Sequence, residues 1–530
     1  MTTSVLARLT LTQALALALL VKLLIAGLLP MTGDEAYFVL WGRHLDYGYY
    51  DHPPMAGWMT WLMLQFSDQA LVMRLPGIAT ELLIALGLYA QWHRVDAAKA
   101  RLLAILFSFS PLSLIFVFTL TDTGCMLFAA ASYLAAAQAL QLRLPPGKAG
   151  AHPGSAYGWA ALAGVALGLA FLSKYFAVFL GLAYLIHFFV IQRSAWRLGL
   201  LLVLVAIPFG LLNLYWNLNH CWSNVLFNVV NRNRGGSGIQ WADVLAYIAM
   251  MGYVVLPPLA WAWWRGLREQ QPALLHAGIR LAQVIVATAL IGFLLVSFKK
   301  TIGLHWVLWF YPMVLVGLFA APVQQWQGWL RWMGWLSALH VALILIILLL
   351  PLSVFQQKPK LARDLLAATE APALIAAARQ QVLADTDLTP AQAAALPLAA
   401  QGYTWASVLS RQLKQPVMVI GPGSKYARQD DFWTDFRALD GQSVLIYLKR
   451  PGELASVSPW FARSRLLNVR YRGQTYVFVL AEGFSYERYR QQVLVPVRDT
   501  YYAFPDWLPV GSCPVTQRYF GAAAGTAASP

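Results

Sequence analysis

The sequence predicts a polytopic α-helical membrane protein that ends in a smaller mixed α/β domain. Three observations carry this. Apolar residues make up 59% of the 530 and charged residues 12%, against roughly 45–50% and 25% in a soluble domain. The apolar residues gather in runs near the ~20 residues that a bilayer crossing needs. From residue 353 onward the composition turns mixed and charged. A soluble globular enzyme and a disordered chain are excluded, and three cysteines are too few for a disulfide framework. The formal charge of +16 on so apolar a chain suits anionic membrane surfaces or anionic lipid substrates. No basic stretch interleaved with aromatics reads as a nucleic-acid groove, so no nucleic-acid partner is expected.

About eleven spans are expected, near 9–29, 71–90, 102–119, 123–141, 157–172, 175–192, 198–217, 242–262, 281–298, 303–320 and 332–352. The first is too long for a cleaved leader and has no A-x-A-like end. Lys22 inside it is expected to snorkel to a headgroup. Alternate loops carry Arg94, Lys99 and Arg101; Arg143 and Lys148; Arg193 and Arg197; Arg265, Arg268 and Arg280; and Arg331. By the positive-inside rule these loops are cytoplasmic. The N-terminus with Arg8 is then cytoplasmic, and an odd number of spans places the rest of the chain in the periplasm. The domains are therefore 1–352, transmembrane with juxtamembrane loops, and 353–530, periplasmic. In the latter, 363–381 and 404–413 read as helices and 417–420, 443–448 and 475–480 as strands, with turns at Gly421-Pro422-Gly423. Cys221 and Cys513 both fall on the outer side, where a bridge is chemically allowed; sequence alone does not show whether they are near one another.

The expected outer-face loops hold the chemistry. After the first span comes Gly33-Asp34-Glu35-Ala36-Tyr37-Phe38, with Phe38, Trp41 and Leu45 at a spacing that suggests a helix lying in the interface. Asp34 can serve as its N-cap and Glu35 as a first-turn carboxylate. Two acids at a span exit in so acid-poor a chain point to function instead. Tyr49-Tyr50-Asp51-His52-Pro53-Pro54 follows, where Asp51 or His52 can cap a Pro-opened helix. Asp122 sits in Thr121-Asp122-Thr123 where the fourth span begins, again a capping position. The cations on this side are Lys174 between the fifth and sixth spans, Arg232 and Arg234 after the seventh, and Lys299, Lys300 and His305 around the ninth and tenth. Their plain use is contact with lipid headgroups. Together, carboxylates and cations are what sugar transfer from a lipid phosphate requires. A carboxylate orients and deprotonates the acceptor hydroxyl, and cations stabilise charge growing on the departing phosphate. No G-x-x-x-x-G-K-[ST], no G-x-G-x-x-G after a strand and no H-E-x-x-H competes.

At these residues the chain resembles the membrane-embedded GT-C glycosyltransferases, in the bacterial branch that holds the dolichyl-phosphate-mannose–protein mannosyltransferase-like enzymes and the lipid A aminoarabinose transferases. GDEAYF at 33–38, GYYDHPPMAGW at 48–58, LTDTGCMLF at 120–128, GVALGLAFLSKY at 164–175, WNLNHCW at 216–222 and HWVLWFYP at 305–312 carry it. Their order fits over 1–320, and the C-terminal domain resembles the family only through the stretch before Asp431-Phe432-Trp433. The resemblance implies a GT-C fold, Asp34 as the catalytic carboxylate with Glu35 beside it, and Asp122 as a second acid. Where the aminoarabinose branch has Glu-Lys-Pro, with the Glu associated with zinc and the Lys with donor phosphate, this chain has Asp51 and His52. His220 matches the other metal ligand. The change from Lys to His puts the phosphate role of His52 in doubt and argues against copying the aminoarabinose specificity; two ligands make a weak metal site, and the mannosyl relatives use none.

The expected protein is an inner-membrane, inverting glycosyltransferase that takes a sugar from a polyprenyl phosphate. Its expected acceptor is lipid A, lipopolysaccharide core or another glycan at the periplasmic face. Asp34 is the expected base, with Lys174, Arg232, Arg234, His52 and His305 on donor phosphate and zinc at Asp51 and His220 as an option. Protein Ser/Thr is the alternative acceptor. A glycolipid transporter or flippase is the alternative class, disfavoured because polar groups sit at span ends and no inverted repeat is visible.

Overall fold

The computed structural model describes residues 5–143, 153–232, 238–255, 273–356, 358–509 and 511–521. The chain divides into two compact units, neither continuous in sequence. The first takes Met1–Leu28, Pro53–Asn213 and Gly235–Leu348, and the second takes Leu29–His52, Leu214–Arg234 and Leu349–Pro530.

The first unit is a helical membrane bundle. Among the described residues seven helices are long and apolar enough to cross a bilayer: Leu11–Leu28, Ala70–Trp92, Thr121–Gln141, Gly154–Phe171, Arg193–Asn219, Ala277–Ser297 and Gln325–Leu349. An eighth crossing would be the pair Ala97–Ser108 and Pro111–Val117, bent by 62°. Among the described residues this measure thus picks out seven or eight of the eleven expected crossings. Where they are described, the eleven apolar runs are helical; Tyr175–Ile191 and Leu304–Phe319 are shorter, and Trp241–Val255 is the described part of its run. The expected span at 242–262 runs past Val255 into 256–262, outside the described residues. Two of the shorter helices change hydrogen-bonding pattern along their length, through 3₁₀, α and π turns at Tyr175–Ile191 and α and 3₁₀ turns at Leu304–Ala320. Apolar composition alone does not register such breaks. Gly77 lets helix Ala70–Trp92 approach the end of the second half of the bent pair: a Cβ there would lie 2.1 Å from the Phe118 carbonyl oxygen, so only glycine lets the two backbones come this close.

Lys22 does not snorkel. It is 2% exposed, its ammonium lies 3.1 Å from Glu81, and it donates to the Ser108 carbonyl at 3.2 Å. With a carboxylate partner inside the bundle, the side chain has no need to reach the headgroups. A groove of about 750 Å³ opens beside it, walled by Leu17, Val21, Trp335, Val341 and Leu345.

The second unit is built on a five-stranded sheet: β1 (Leu398–Ala400), β2 (Val417–Val419), β3 (Val444–Leu448), β4 (Phe461–Tyr471) and β5 (Gln474–Phe484). The order is β2-β1-β3-β5-β4, with β1 parallel to β2 and β3, and β5 antiparallel to β3 and β4. Helix Tyr403–Leu413 is the crossover between parallel β1 and β2. β1 and β4 escape the sequence reading. β1 is three residues in an Ala-rich stretch, too short to show an alternation. β4 is an edge strand whose Arg463, Arg465 and Arg470 mask its alternation. The helix expected over 363–381 is two helices, Pro359–Thr369 and Ala371–Asp385, that meet at Glu370. Cys221 and Cys513 form a disulfide across 292 residues.

Candidate active site

The carboxylates of the first loop sit in the second unit, and their surroundings separate capping from other uses. Helix Gly33–Arg43 starts at Thr32. The Thr32 hydroxyl accepts from the Glu35 N–H at 3.2 Å, and the Glu35 carboxylate accepts from the Thr32 N–H at 3.0 Å, a complete capping box. Glu35 is 3% exposed and is held at the helix start. Asp34 is left exposed in the first turn, and the Tyr403 hydroxyl donates to its Oδ1 at 2.8 Å. The Tyr403 ring packs on Tyr37 with centroids 5.1 Å apart. A Cβ on Gly33 would lie 2.2 Å from Thr404 Cγ2, so the two helix starts are as close as a glycine permits. Burial and the Asp34 charge both push the Tyr403 phenol above its ordinary range, which keeps it a protonated donor.

Nor does helix Gly33–Arg43 lie with an apolar face outward, as the interface reading of Phe38, Trp41 and Leu45 expects. Every residue from Glu35 to Gly42 is buried, and exposed Leu45 lies beyond the C-cap His44.

The chain then folds back. Tyr49 stacks on Trp41 at 4.3 Å and donates to its carbonyl at 2.9 Å. The amide of Tyr49 donates to the carbonyl of His52 and that of His52 to the carbonyl of Tyr49, closing a turn. Asp51 is 7% exposed: its Oδ2 accepts from the Ala427 N–H at 3.2 Å. Its Oδ1 lies 3.1 Å from His52 Nδ1, close enough for charge but not aligned as a hydrogen bond. Neither residue caps the next helix, whose N-cap is Pro54 with no side-chain bond. The loop after β2 supplies the clamp: the Gln429 amide oxygen accepts from the Tyr50 N–H at 2.7 Å, and the Gln429 N–H donates to the Tyr37 hydroxyl at 3.0 Å. Ala427 holds φ 53°, a left-handed conformation that aims its N–H at Asp51. Contacts to the first loop thus come from the C-terminal ends of both parallel strands β1 and β2, where ligand sites of α/β sheets usually form.

Arg232 lies over the Phe227 ring at 5.3 Å, and Phe227 packs on Tyr426 at 5.7 Å. Burial lowers the guanidinium below its usual value, and the neighbouring Tyr426 phenol and Asp51 carboxylate oppose this. Asp51 also acts electrostatically on Tyr403. Asp34, Asp51, His52 and Arg232 are therefore gathered in one unit, joined by Tyr403, Tyr426 and Gln429. None of these last three is signalled in the sequence, because each becomes a neighbour only through contacts more than 190 residues apart. Arg234 lies outside the described residues.

His220 is engaged elsewhere in this unit. Its ring stacks on Trp216 at 4.4 Å, Nδ1 lies 2.9 Å from the Trp216 carbonyl oxygen and Nε2 3.7 Å from Asp46. A zinc site needs three or four convergent ligands. Among the described residues no group of three His, Cys, Asp or Glu side chains converges. Asp51 and His220 have different neighbours, so the residues present do not fit a bound zinc.

The first unit holds the remaining candidates. Lys174 places its ammonium 2.6 Å from both oxygens of Asp122, with both side chains buried. Its ammonium also lies 5.7 and 5.9 Å from the centroids of Phe176 and Trp306. Asp122 thus holds an ion pair rather than a cap. His305 is half-buried beside Trp306, ring centroids 6.2 Å apart.

The class these features define is a multi-pass helical membrane protein carrying a mixed α/β region after its last span, and solved structures share that fold. ArnT from Cupriavidus metallidurans in the apo state superposes with a TM-score of 0.59 at 15% identity, over 88% of this chain and 97% of that one. ArnT bound to undecaprenyl phosphate gives 0.58 with the same identity and coverage. The family profile of the dolichyl-phosphate-mannose-protein mannosyltransferases matches residues 51–216. The lipid A galacturonosyltransferase RgtD of Rhizobium johnstonii is 26% identical over 298 residues. That alignment covers 54% of this chain, and the chain spans 59% of the length of RgtD.

Proposed function

We propose that this protein is a glycosyltransferase that moves a sugar from a polyprenyl-phosphate donor to lipid A, lipopolysaccharide core or another glycan. The observation that carries the reading is Asp34. It is an exposed carboxylate at the start of a buried helix, relieved of capping by Thr32 and Glu35 and held through one oxygen by Tyr403. Similarity to RgtD, whose name specifies lipid A and a galacturonosyl group, supports the acceptor and suggests a uronic acid as the sugar. The ArnT fold, known with undecaprenyl phosphate bound, supports the donor class.

Asp34 acts as general base. As the acceptor oxygen bonds to the anomeric carbon, the bond from that carbon to the phosphate oxygen breaks. The hydroxyl proton passes to Asp34, and the electron pair leaves with the polyprenyl phosphate. A single displacement inverts the anomeric centre. Arg232 supplies positive charge to the departing phosphate, and His52 is a hydrogen-bonding group in the same unit. Asp122 and Lys174 enter as a neutral pair that holds two helix ends. The chemistry faces the periplasm, in keeping with the Cys221–Cys513 disulfide, because such bonds persist in oxidising compartments.

The test is Asp34→Asn, assayed for transfer of galacturonic acid from undecaprenyl phosphate to lipid A. A carboxylate base contributes typically about 100- to 10,000-fold, so the variant is expected to lose at least about two orders of magnitude while it folds normally. Transfer near the native rate would remove Asp34 from the centre.

A further inference from the structure

We infer that Tyr403 is a positioning residue for the transfer, the contribution of the C-terminal α/β region to the reacting carboxylate. The inference rests on the reading of Asp34 as base. Tyr403 is the first residue of the helix that leaves β1, 369 positions beyond Asp34 in sequence. Three contacts bring it there and fix its direction: the 2.8 Å hydrogen bond to Asp34 Oδ1, the packing of its ring on Tyr37, and the seat of Thr404 against Gly33.

A carboxylate on an exposed first turn rotates freely about its χ angles. A base has to present one lone pair along the line of the acceptor O–H, and misplacement by about 1 Å can cost about 100-fold. The Tyr403 hydroxyl occupies Oδ1 and stops that rotation, which leaves Oδ2 to take the proton. It acts through Asp34 alone. The bond differs from a plain structural contact in where it lies: its acceptor is the proposed base, and the ring beneath is anchored independently by Tyr37. Deleting the hydroxyl therefore removes orientation and leaves the packing in place.

The experiment is a double-mutant cycle on the full-length protein in detergent. Native enzyme, Tyr403→Phe, Asp34→Asn and the double variant are compared. The donor probe is undecaprenyl phosphate carrying galacturonic acid and the acceptor is lipid A. Tyr403→Phe is expected to lower kcat by about 10- to 100-fold, the range of a hydrogen bond to a charged group, with KM for the donor and the melting temperature unchanged. The double variant is expected to be no slower than Asp34→Asn, because Tyr403 has nothing left to position. A native kcat in Tyr403→Phe overturns the inference, as does a loss that falls on KM or on thermal stability. A double variant slower than Asp34→Asn by the full Tyr403→Phe factor overturns it too, since the hydroxyl then acts elsewhere. If Asp34→Asn itself turns over at the native rate, the reading of the base fails, a result distinct from the other three.

Discussion

Lys174 and Asp122 form a buried ion pair in which one ammonium lies 2.6 Å from both carboxylate oxygens. The two residues stand at opposite ends of the loop-and-helix run from 122 to 174, Asp122 in the first turn of Thr121–Gln141 and Lys174 just after helix Pro153–Phe171. Removal of one partner leaves a buried charge uncompensated, at a cost of about 3–5 kcal/mol. Asp122→Asn and Lys174→Met are each expected to lower the melting temperature of the detergent-solubilised protein. The double variant is expected to recover most of the loss. Equal, additive losses would show that the pair does not hold these ends together.

Thr32 and Asp34 are two residues apart and carry opposite expectations. Thr32→Ala removes the N-cap of helix Gly33–Arg43, and loss of such a cap costs about 1 kcal/mol. It should lower thermal stability and leave turnover largely intact. Asp34→Asn should do the reverse. Circular dichroism melts and a transfer assay on the same two preparations separate the roles.

Asp430 gives a pH dependence to stability. It is buried, its Oδ2 has no hydrogen-bond partner, and burial together with the neighbouring Asp431 charge pushes its carboxyl up to about 7 from an ordinary 3.8. The folded state then holds this proton more tightly than the unfolded state. The contribution of this group to stability is therefore greatest below about pH 4, falls as pH rises towards 7, and is level above. Melting temperatures measured from pH 5 to 8 should decline more steeply in the native protein than in Asp430→Asn, which is expected to be the more stable at pH 8. Parallel curves would show that Asp430 does not titrate in this window.

The composition of the second unit predicts membrane topology. Segments 29–52, 214–234 and 349–530 fold together and must therefore lie on one side of the bilayer. The number of crossings in each intervening stretch is then even, whichever of the short helices cross. Reporter fusions after Arg232 and at the C-terminus should agree, and both should be periplasmic, whereas fusions after Arg101 and Arg197 should be cytoplasmic. Thiol labelling of intact cells under reducing and non-reducing conditions should find Cys221 and Cys513 reactive only after reduction. Opposite fusion results at the two outer sites would contradict the fold of this unit.

The membrane class, the positions of the apolar helices and most of the small sheet were legible because each depends on local composition and period. Hydropathy registered all eleven apolar runs yet not the 62° bend after Ser108, nor the shortness of Leu304–Phe319, because packing rather than apolarity sets them. Asp34 stood out through its setting in an acid-poor chain. Its release from capping did not, since Thr32 and Glu35 decide it by a geometry two acids in a row conceal. Lys22 was misread for a similar reason: its partner Glu81 lies on another helix, and pairing between spans leaves no periodic trace. Tyr403 and Gln429 were invisible because their value comes from residues hundreds of positions away.

The interleaving of the two units also sets an order of manufacture. Trp41, Tyr49 and Tyr50 are each 0% exposed in the finished unit, and Tyr50 shares its core with Ile420, Trp460 and Tyr502. A ribosome releases the first of these, Trp41, 461 residues before the last, Tyr502. In the interval the first loop lacks its sheet and Cys221 lacks Cys513, and every remaining span has to be inserted before either arrives. Maturation of the proposed catalytic carboxylate is thus tied to completion of the chain: a polypeptide cut short after its last span would sit in the membrane with Asp34 present but without Tyr403 to hold it.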